Sequence, residues 1–586
     1  MKKLYLQTKK CSMNKLITFF LILISIFFNA STIDLPQNSY RIDEEKRIIV
    51  CNTDINKLKF DDQPITIILN DNNYKVLDNV VSLKVGVRYI LSLGFTRYSL
   101  YFTELPLLCI DSDSEISDSP KVLSKITLVE NSGKITESNA GIEYRGATSQ
   151  LYPKKSYEIE FWNDTTGDDT KDIALFDLRE DKDWNIQAMY NELLKINSVT
   201  AWKIWDNISE LYYKDLEPKG KTGIGMNYVE VFSNNSYKGV YAITEKVDRK
   251  LLKLKKNTDT EIRGELYKGD SWEATTYYNL PDFDNTSETW GGFEYKYPKD
   301  LRDWTNLYDL HDFVINSKDE VFYSQYKEKY DNANLVNYLI FLNLLRASDN
   351  SGKNLYTARY DKNGKYFFVP WDLDGVFGRI WDSTLQNTTD DLLSNGLYDR
   401  LWKDDRKDGF RYDLNKRWVE LRSEKITTDN IMQILIDNFN YLKNNGSLER
   451  DQIANSGSTV SSEYEEFAYI REWLAARIAY LDKVFTFDII ETPPVTEENN
   501  DKTNNKFILY PNPAKNYIYL VDKNNKSEKS LLDITLYSKT GRIIKTINQH
   551  PVDQSIFIGN IPDGNYILNI KTDSGQKQSL KLIINK

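Results

Sequence analysis

The stretch Ser348-Asp349-Asn350-Ser351-Gly352-Lys353-Asn354, followed after a strand-like run by Trp371-Asp372-Leu373-Asp374-Gly375, decides how the rest of this chain is read. An Asp with an Asn five positions on, and a second Asp-bearing loop just past a hydrophobic strand, suits phosphoryl transfer. One carboxylate takes the acceptor's hydroxyl proton, while the Asn and the later Asp hold metal ions that neutralise nucleotide phosphates. The same residues have a plainer reading, because an Asp beside Asn350 and Gly352 also ends helices.

Outward from this stretch, Leu335 to Ala347 and Glu465 to Phe485 carry apolar residues at helical spacing. Tyr228-Val229-Glu230-Val231-Phe232 and Tyr366-Phe367-Phe368-Val369 read as strands. The segment 105–487 is therefore expected to be one α+β domain. Before it, 31–104 is a series of short β-type runs such as Ile65-Thr66-Ile67-Ile68-Leu69, broken by Asn-Asp turns, and predicts a small β-rich module. After it, 488–506 is polar and Pro-bearing and reads as a linker. The remaining 507–586 has strand runs separated by Gly turns at regular spacing and predicts a β-sandwich.

The chain has 586 residues, 28% of them charged and 40% hydrophobic, with a mean hydropathy of -0.55. Its formal net charge of -10 argues against a general nucleic-acid or anionic-membrane binder. Lys2, Lys3, Lys9, Lys10 and Lys15 precede an apolar run from Leu16 to Phe28, and Ala30 and Ser31 follow it. That order predicts a secretory signal peptide over 1–30 rather than a stable membrane span; a retained anchor is the competing reading. Cys11 would leave with that segment, and Cys51 and Cys109 either pair or stay as buried thiols. His311 and His550 are the only histidines and lie far apart, which excludes a His-rich zinc site.

The text around the opening stretch, Leu344-Leu345-Arg346-Ala347-Ser348-Asp349 through Asn354-Leu355-Tyr356 and on to Pro370-Trp371-Asp372-Leu373-Asp374-Gly375, resembles the core signature of the spore-coat CotH family of atypical protein kinases. Gly141-Ile142-Glu143-Tyr144-Arg145-Gly146 and Tyr237-Lys238-Gly239-Val240-Tyr241 resemble further family segments. The resemblance implies a kinase-like central domain that uses ATP and Mg2+ to phosphorylate Ser or Thr of a protein substrate. Asp349 is then the expected base, with Asn354 and Asp372 as metal ligands and Asp374 as a second ligand or a turn cap. Lys268 stands where the family has its nucleotide-binding Lys, with Lys154 and Lys155, beside Arg145, as competing cations. Glu245 would orient Lys268 by an ion pair, although the order of Glu and Lys is the reverse of that in ordinary kinases. Leu373 and Asp374 replace the Phe-Gly of the usual Asp-Phe-Gly loop, and no Gly-x-Gly-x-x-Gly or Walker motif is present.

The ending, from Phe507-Ile508-Leu509-Tyr510-Pro511-Asn512-Pro513 onward, resembles the type A sorting domain of the type IX secretion route. It implies engagement of the type IX secretion machinery and a secreted or cell-surface location reached through the periplasm. Two other functions compete with the kinase: a catalytically inactive, kinase-like surface protein with a binding or structural role, and a metal-dependent hydrolase built on the Asp cluster.

Overall fold

The computed structural model describes residues 31–60, 64–456, 462–486, 506–522, 531–538, 542–552 and 554–586. The predicted leader at 1–30 and almost all of the predicted linker at 488–506 lie outside the described residues. The chain divides into two compact units, residues 1–418 with 427–487 and residues 419–426 with 488–586.

The larger unit mixes helices and sheets and is α+β. It begins with a seven-stranded sheet spanning Ser31–Phe102. The alternation in Ile65–Leu69 places Ile65, Ile67 and Leu69 in its core while the residues between them are partly exposed. Cys51 and Cys109 are both buried free thiols, which resolves the alternatives left open by the sequence.

A closed seven-stranded barrel follows, formed by strands between Leu107 and Thr244. Ile142, Ile159, Trp184, Val229 and Ile243 pack inside it. Its closure depends on a parallel pairing of Leu107–Asp111 with Met226–Ser233, strands more than a hundred residues apart in the chain. No periodicity in the sequence specifies that pairing. One end of the barrel opens into the segments 145–156 and 188–192, which become a wall of the cavity described below.

The rest of the unit is a five-stranded antiparallel sheet and its helices. The helix Asn332–Leu345 is apolar around nearly its whole circumference and is buried throughout its length after the first turn, as a central core helix must be. The Asp331 side chain caps its start through the Ala333 amide, and Arg346, in left-handed conformation at φ 49°, ends it. The predicted start at Leu335 is three residues late, because the polar cap and Asn-rich first turn carry no hydrophobic signal.

Three strands of the sheet set up the site. Glu265–Gly269 pairs with Leu355–Arg359, which pairs with Tyr366–Pro370, in a register that aligns Gly269 with Leu355 and Leu355 with Pro370. The chain therefore leaves Gly269, enters Leu355 and leaves Pro370 at the same end of the sheet. Asp270, Asn354 and Trp371 are brought together by this register alone.

The smaller unit contains a three-stranded and a four-stranded sheet within 507–584. Leu509, Leu520, Ile534, Leu568 and Leu582 belong to one shared core between them, so this segment is a β-sandwich with its own hydrophobic interior. Among the described residues no helix is long and apolar enough to cross a membrane.

Candidate active site

A cavity of about 510 Å³ lies between the open end of the barrel and the aligned end of the five-stranded sheet. Arg145, Lys268, Asp349, Asn354, Asp372 and Asp374 all line it, so six of the eight residues predicted from sequence meet in one space.

Asp349 sits on the short 3-10 turn Ser348–Ser351 that follows the central helix. Burial pushes its carboxyl above the usual range; Lys353 opposes this, and the Asp372 charge adds to it. Asp374 is held well above the usual carboxylate range, first by burial and then by the charge of Asp372, with Glu192 and Asp349 contributing. A hydrogen bond from Asn191 Nδ2 to Asp374 Oδ2, 2.6 Å long, favours the charged form but does not offset this. Asp372 is exposed to the cavity mouth.

Three non-glycine residues on the cavity wall take left-handed backbone conformations: Met189 at φ 49°, Asn354 at φ 51° and Asp372 at φ 55°. Each such residue stores on the order of 1–3 kcal/mol of strain that surrounding contacts must hold. For Asn354 and Asp372 those contacts are visible. The Trp371 amide donates to the Asn354 carbonyl at 2.8 Å, and Asn350 Nδ2 donates to the carbonyls of both Asn354 and Trp371.

The cations differ in how far they are committed. Lys268 Nζ pairs with Asp270 at 3.0 Å and with Glu294 at 3.3 Å. Lys154 is buried on the cavity floor against Asp451 at 2.6 Å and the Val240 carbonyl. The Arg145 guanidinium instead lies over the Trp371 ring, 5.7 Å from its centroid, and makes no ion pair among the described residues. Lys353, also on the wall, makes none either.

Two predicted residues fall outside the cavity. Lys155 donates to the Gln150 carbonyl at 2.6 Å and lies 6.0 Å from the Tyr144 ring centroid, holding its own loop together. Glu245, at the end of a barrel strand, is buried against Lys221 at 3.1 Å and the Gly225 amide at 2.8 Å. The expected Glu245–Lys268 pair is thus corrected: Glu245 belongs to the barrel wall, and the acidic partners of Lys268 are Asp270 and Glu294. Sequence reading missed Asn191, Asp270 and Lys353. Lys353 stands inside the opening motif and Asp270 two residues past Lys268, whereas nothing local to Asn191 announces a partner 183 residues away.

The donor set is made of oxygens. Among the described residues Asp349 receives no hydrogen bond at its carboxylate, and the Asp372 charge disfavours the charged forms of both Asp349 and Asp374, a crowding that a hard divalent cation relieves. Among the described residues no cluster of three or more His, Cys, Asp or Glu side chains is close enough to enclose a metal ion. Magnesium suits such a half-built site, since it keeps several waters and takes one or two carboxylates together with phosphate oxygens.

The family model described as CotH kinase protein matches residues 142–481, more than half of the chain. The chain belongs to the CotH kinase family. Within the CotH match lie the barrel from Ile142 on, the five-stranded sheet, the central helix and every residue of the cavity wall named here. A second model, for a secretion system C-terminal sorting domain, matches residues 508–585, the β-sandwich. This CotH protein therefore carries a type IX sorting tail, which marks it for secretion and attachment at the cell surface. A search of curated proteins finds no match.

Proposed function

We propose that this protein is an exported, magnesium-dependent CotH kinase whose central domain is kinase-like and moves the γ-phosphoryl group of ATP to a Ser or Thr hydroxyl of a protein. The observation that carries this reading is the convergence of Asp349, Asn354 and Asp372 with Lys268 and Arg145 at one end of the five-stranded sheet. The leader at 1–30 would deliver the chain to the periplasm, and the sorting domain would take it onward.

Asp349 is the base. Its carboxylate lines the cavity and accepts no hydrogen bond among the described residues, so it can accept the proton of an acceptor hydroxyl as the oxygen attacks phosphorus. Asn354 and Asp372 would hold magnesium through a carbonyl and a carboxylate oxygen, with Asp374 beside them. Bound there, the ion supplies neutralisation of phosphate charge. Arg145 and Lys353 meet the remaining phosphate charge, since neither makes an ion pair among the described residues. Lys268 stands at the cavity edge with its charge shared between Asp270 and Glu294.

The test is incubation of the purified protein with magnesium, ATP labelled at the γ-phosphate and a basic protein acceptor. Label on Ser or Thr of the acceptor supports the kinase. Nucleotide binding without transfer would instead favour a kinase-like surface protein, and release of free phosphate a hydrolase.

A further inference from the structure

Asn350 stands between the two loops that carry the metal-ligand candidates and bonds to both. The residue is 2% exposed. Nδ2 donates to the Asn354 carbonyl at 2.6 Å and to the Trp371 carbonyl at 2.7 Å, so both amide hydrogens are used across the gap. The backbone carbonyl of Asn350 in turn accepts the hydroxyl of Tyr338, 2.8 Å away on the buried central helix. One residue thus ties the helix, the 349–354 turn and the Trp371-Asp372 loop into a single unit.

The chemistry of this position is demanding. Both Asn354 and Asp372 have left-handed backbones, which relax unless something holds them. Two carbonyls pointing at one buried spot need two N–H donors, and a primary amide of this length supplies both from a single nitrogen. An Asp would present oxygen to oxygen, and an Ala would take the side-chain donor from both carbonyls, leaving the Asn354 carbonyl with the Trp371 amide alone.

We propose that Asn350 is a positioning residue that sets the geometry of Asn354 relative to Asp372, and through it the affinity of the cavity for a magnesium–nucleotide. The second half of this inference rests on the kinase reading given above; the first half does not. Partners of this kind, one bond removed from a metal ligand, typically change metal affinity by about 10- to 100-fold when removed.

The experiment uses the full chain as wild type, Asn350→Ala, the isosteric Asn350→Asp and, as a control, Tyr338→Phe, which removes the hydroxyl but leaves the amide clamp. Hydrogen exchange of the Trp371 amide is measured without ligand, and ATP binding is measured by calorimetry with magnesium chloride and with EDTA. In both Asn350 variants the Trp371 amide should exchange faster while the Leu355–Arg359 amides keep wild-type rates. Binding of ATP with magnesium should weaken at least about tenfold, and binding in EDTA should change little. Tyr338→Phe should lower thermal stability and leave magnesium-dependent binding near wild type. Unchanged Trp371 exchange in the Asn350 variants overturns the proposal whether or not nucleotide binds. Equal weakening with and without magnesium also overturns it, because a merely structural role would act that way. Failure of the wild type to bind ATP would instead defeat the kinase reading, and the exchange result would still decide whether Asn350 positions the loops.

Discussion

Asn191 donates its side-chain amide to Asp374 at 2.6 Å across 183 residues of sequence, joining the barrel wall to the loop that follows the five-stranded sheet. The same amide reaches the Trp381 carbonyl. Asp374 therefore has its orientation set by a residue of the opposite wall. Asn191→Ala is expected to weaken magnesium-dependent ATP binding by about 10- to 100-fold, the usual effect of losing such a support, while the fold persists. Calorimetry on the variant, compared with Asp374→Asn, measures this; wild-type affinity in Asn191→Ala would remove Asp374 from the binding role.

Asp372→Ala should abolish magnesium-dependent nucleotide binding, whereas Asp349→Ala should bind nucleotide and fail to transfer. Loss of a ligand leaves phosphate charge uncompensated; loss of a base affects only the step that moves the acceptor's proton. The transfer rate in Asp349→Ala should fall about 100- to 10,000-fold. Equal loss of binding in both variants, or full activity in Asp349→Ala, would reverse these assignments.

Deletion of Phe507 to Lys586 should leave the protein in the periplasm with its central domain intact. The sandwich has a core of its own, so its removal takes no apolar residue out of the barrel or the five-stranded sheet. Fractionation of cells followed by immunodetection gives the answer, and undiminished surface display of the truncated chain would count against the sorting role.

His311 is buried, stacks on Tyr277 with ring centroids 4.3 Å apart, and bonds through Nδ1 to the Leu307 carbonyl. Burial lowers its pKa from 6.5 to about 4. The unfolded chain therefore binds a proton between these values that the folded chain refuses. Stability from this group is present in full above about pH 6.5 and is lost as pH falls toward 4, by about 3 kcal/mol across the window. In His311→Phe, which keeps the aromatic stack and cannot titrate, the fall in the unfolding temperature of the larger unit from pH 6.5 to 4 should be shallower than in wild type. Identical pH profiles for the two proteins would show that His311 is not the responsible group.

What the sequence revealed about the site follows from chain distance. Asp349, Asn354, Asp372 and Asp374 are separated by one hairpin, Leu355–Arg359 with Tyr366–Pro370, so their spacing along the chain becomes proximity as soon as that hairpin pairs. Arg145 and Lys268 came from segments resembling the family, and the fold had to place them. Glu245 and Lys155 were misplaced because side-chain partners of a barrel strand or a loop depend on neighbours that local pattern does not name; Glu245 meets Lys221, not Lys268. The barrel itself was illegible for the same reason, since a parallel contact between Leu107–Asp111 and Met226–Ser233 leaves no periodic trace.

The hairpin that aligns Leu355 with Pro370 has a far end as well. Its turn, from Tyr360 to Lys365, lies a full strand length, about 17 Å, from the cavity end, and Asp361, Lys362 and Asn363 there include exposed positions. Lengthening a surface turn costs little free energy, because closure entropy grows only slowly with loop length. The site and this turn are thus mechanically separate ends of one rod. An affinity tag or fluorophore inserted after Lys362 would report on the protein at the cell surface without entering the cavity.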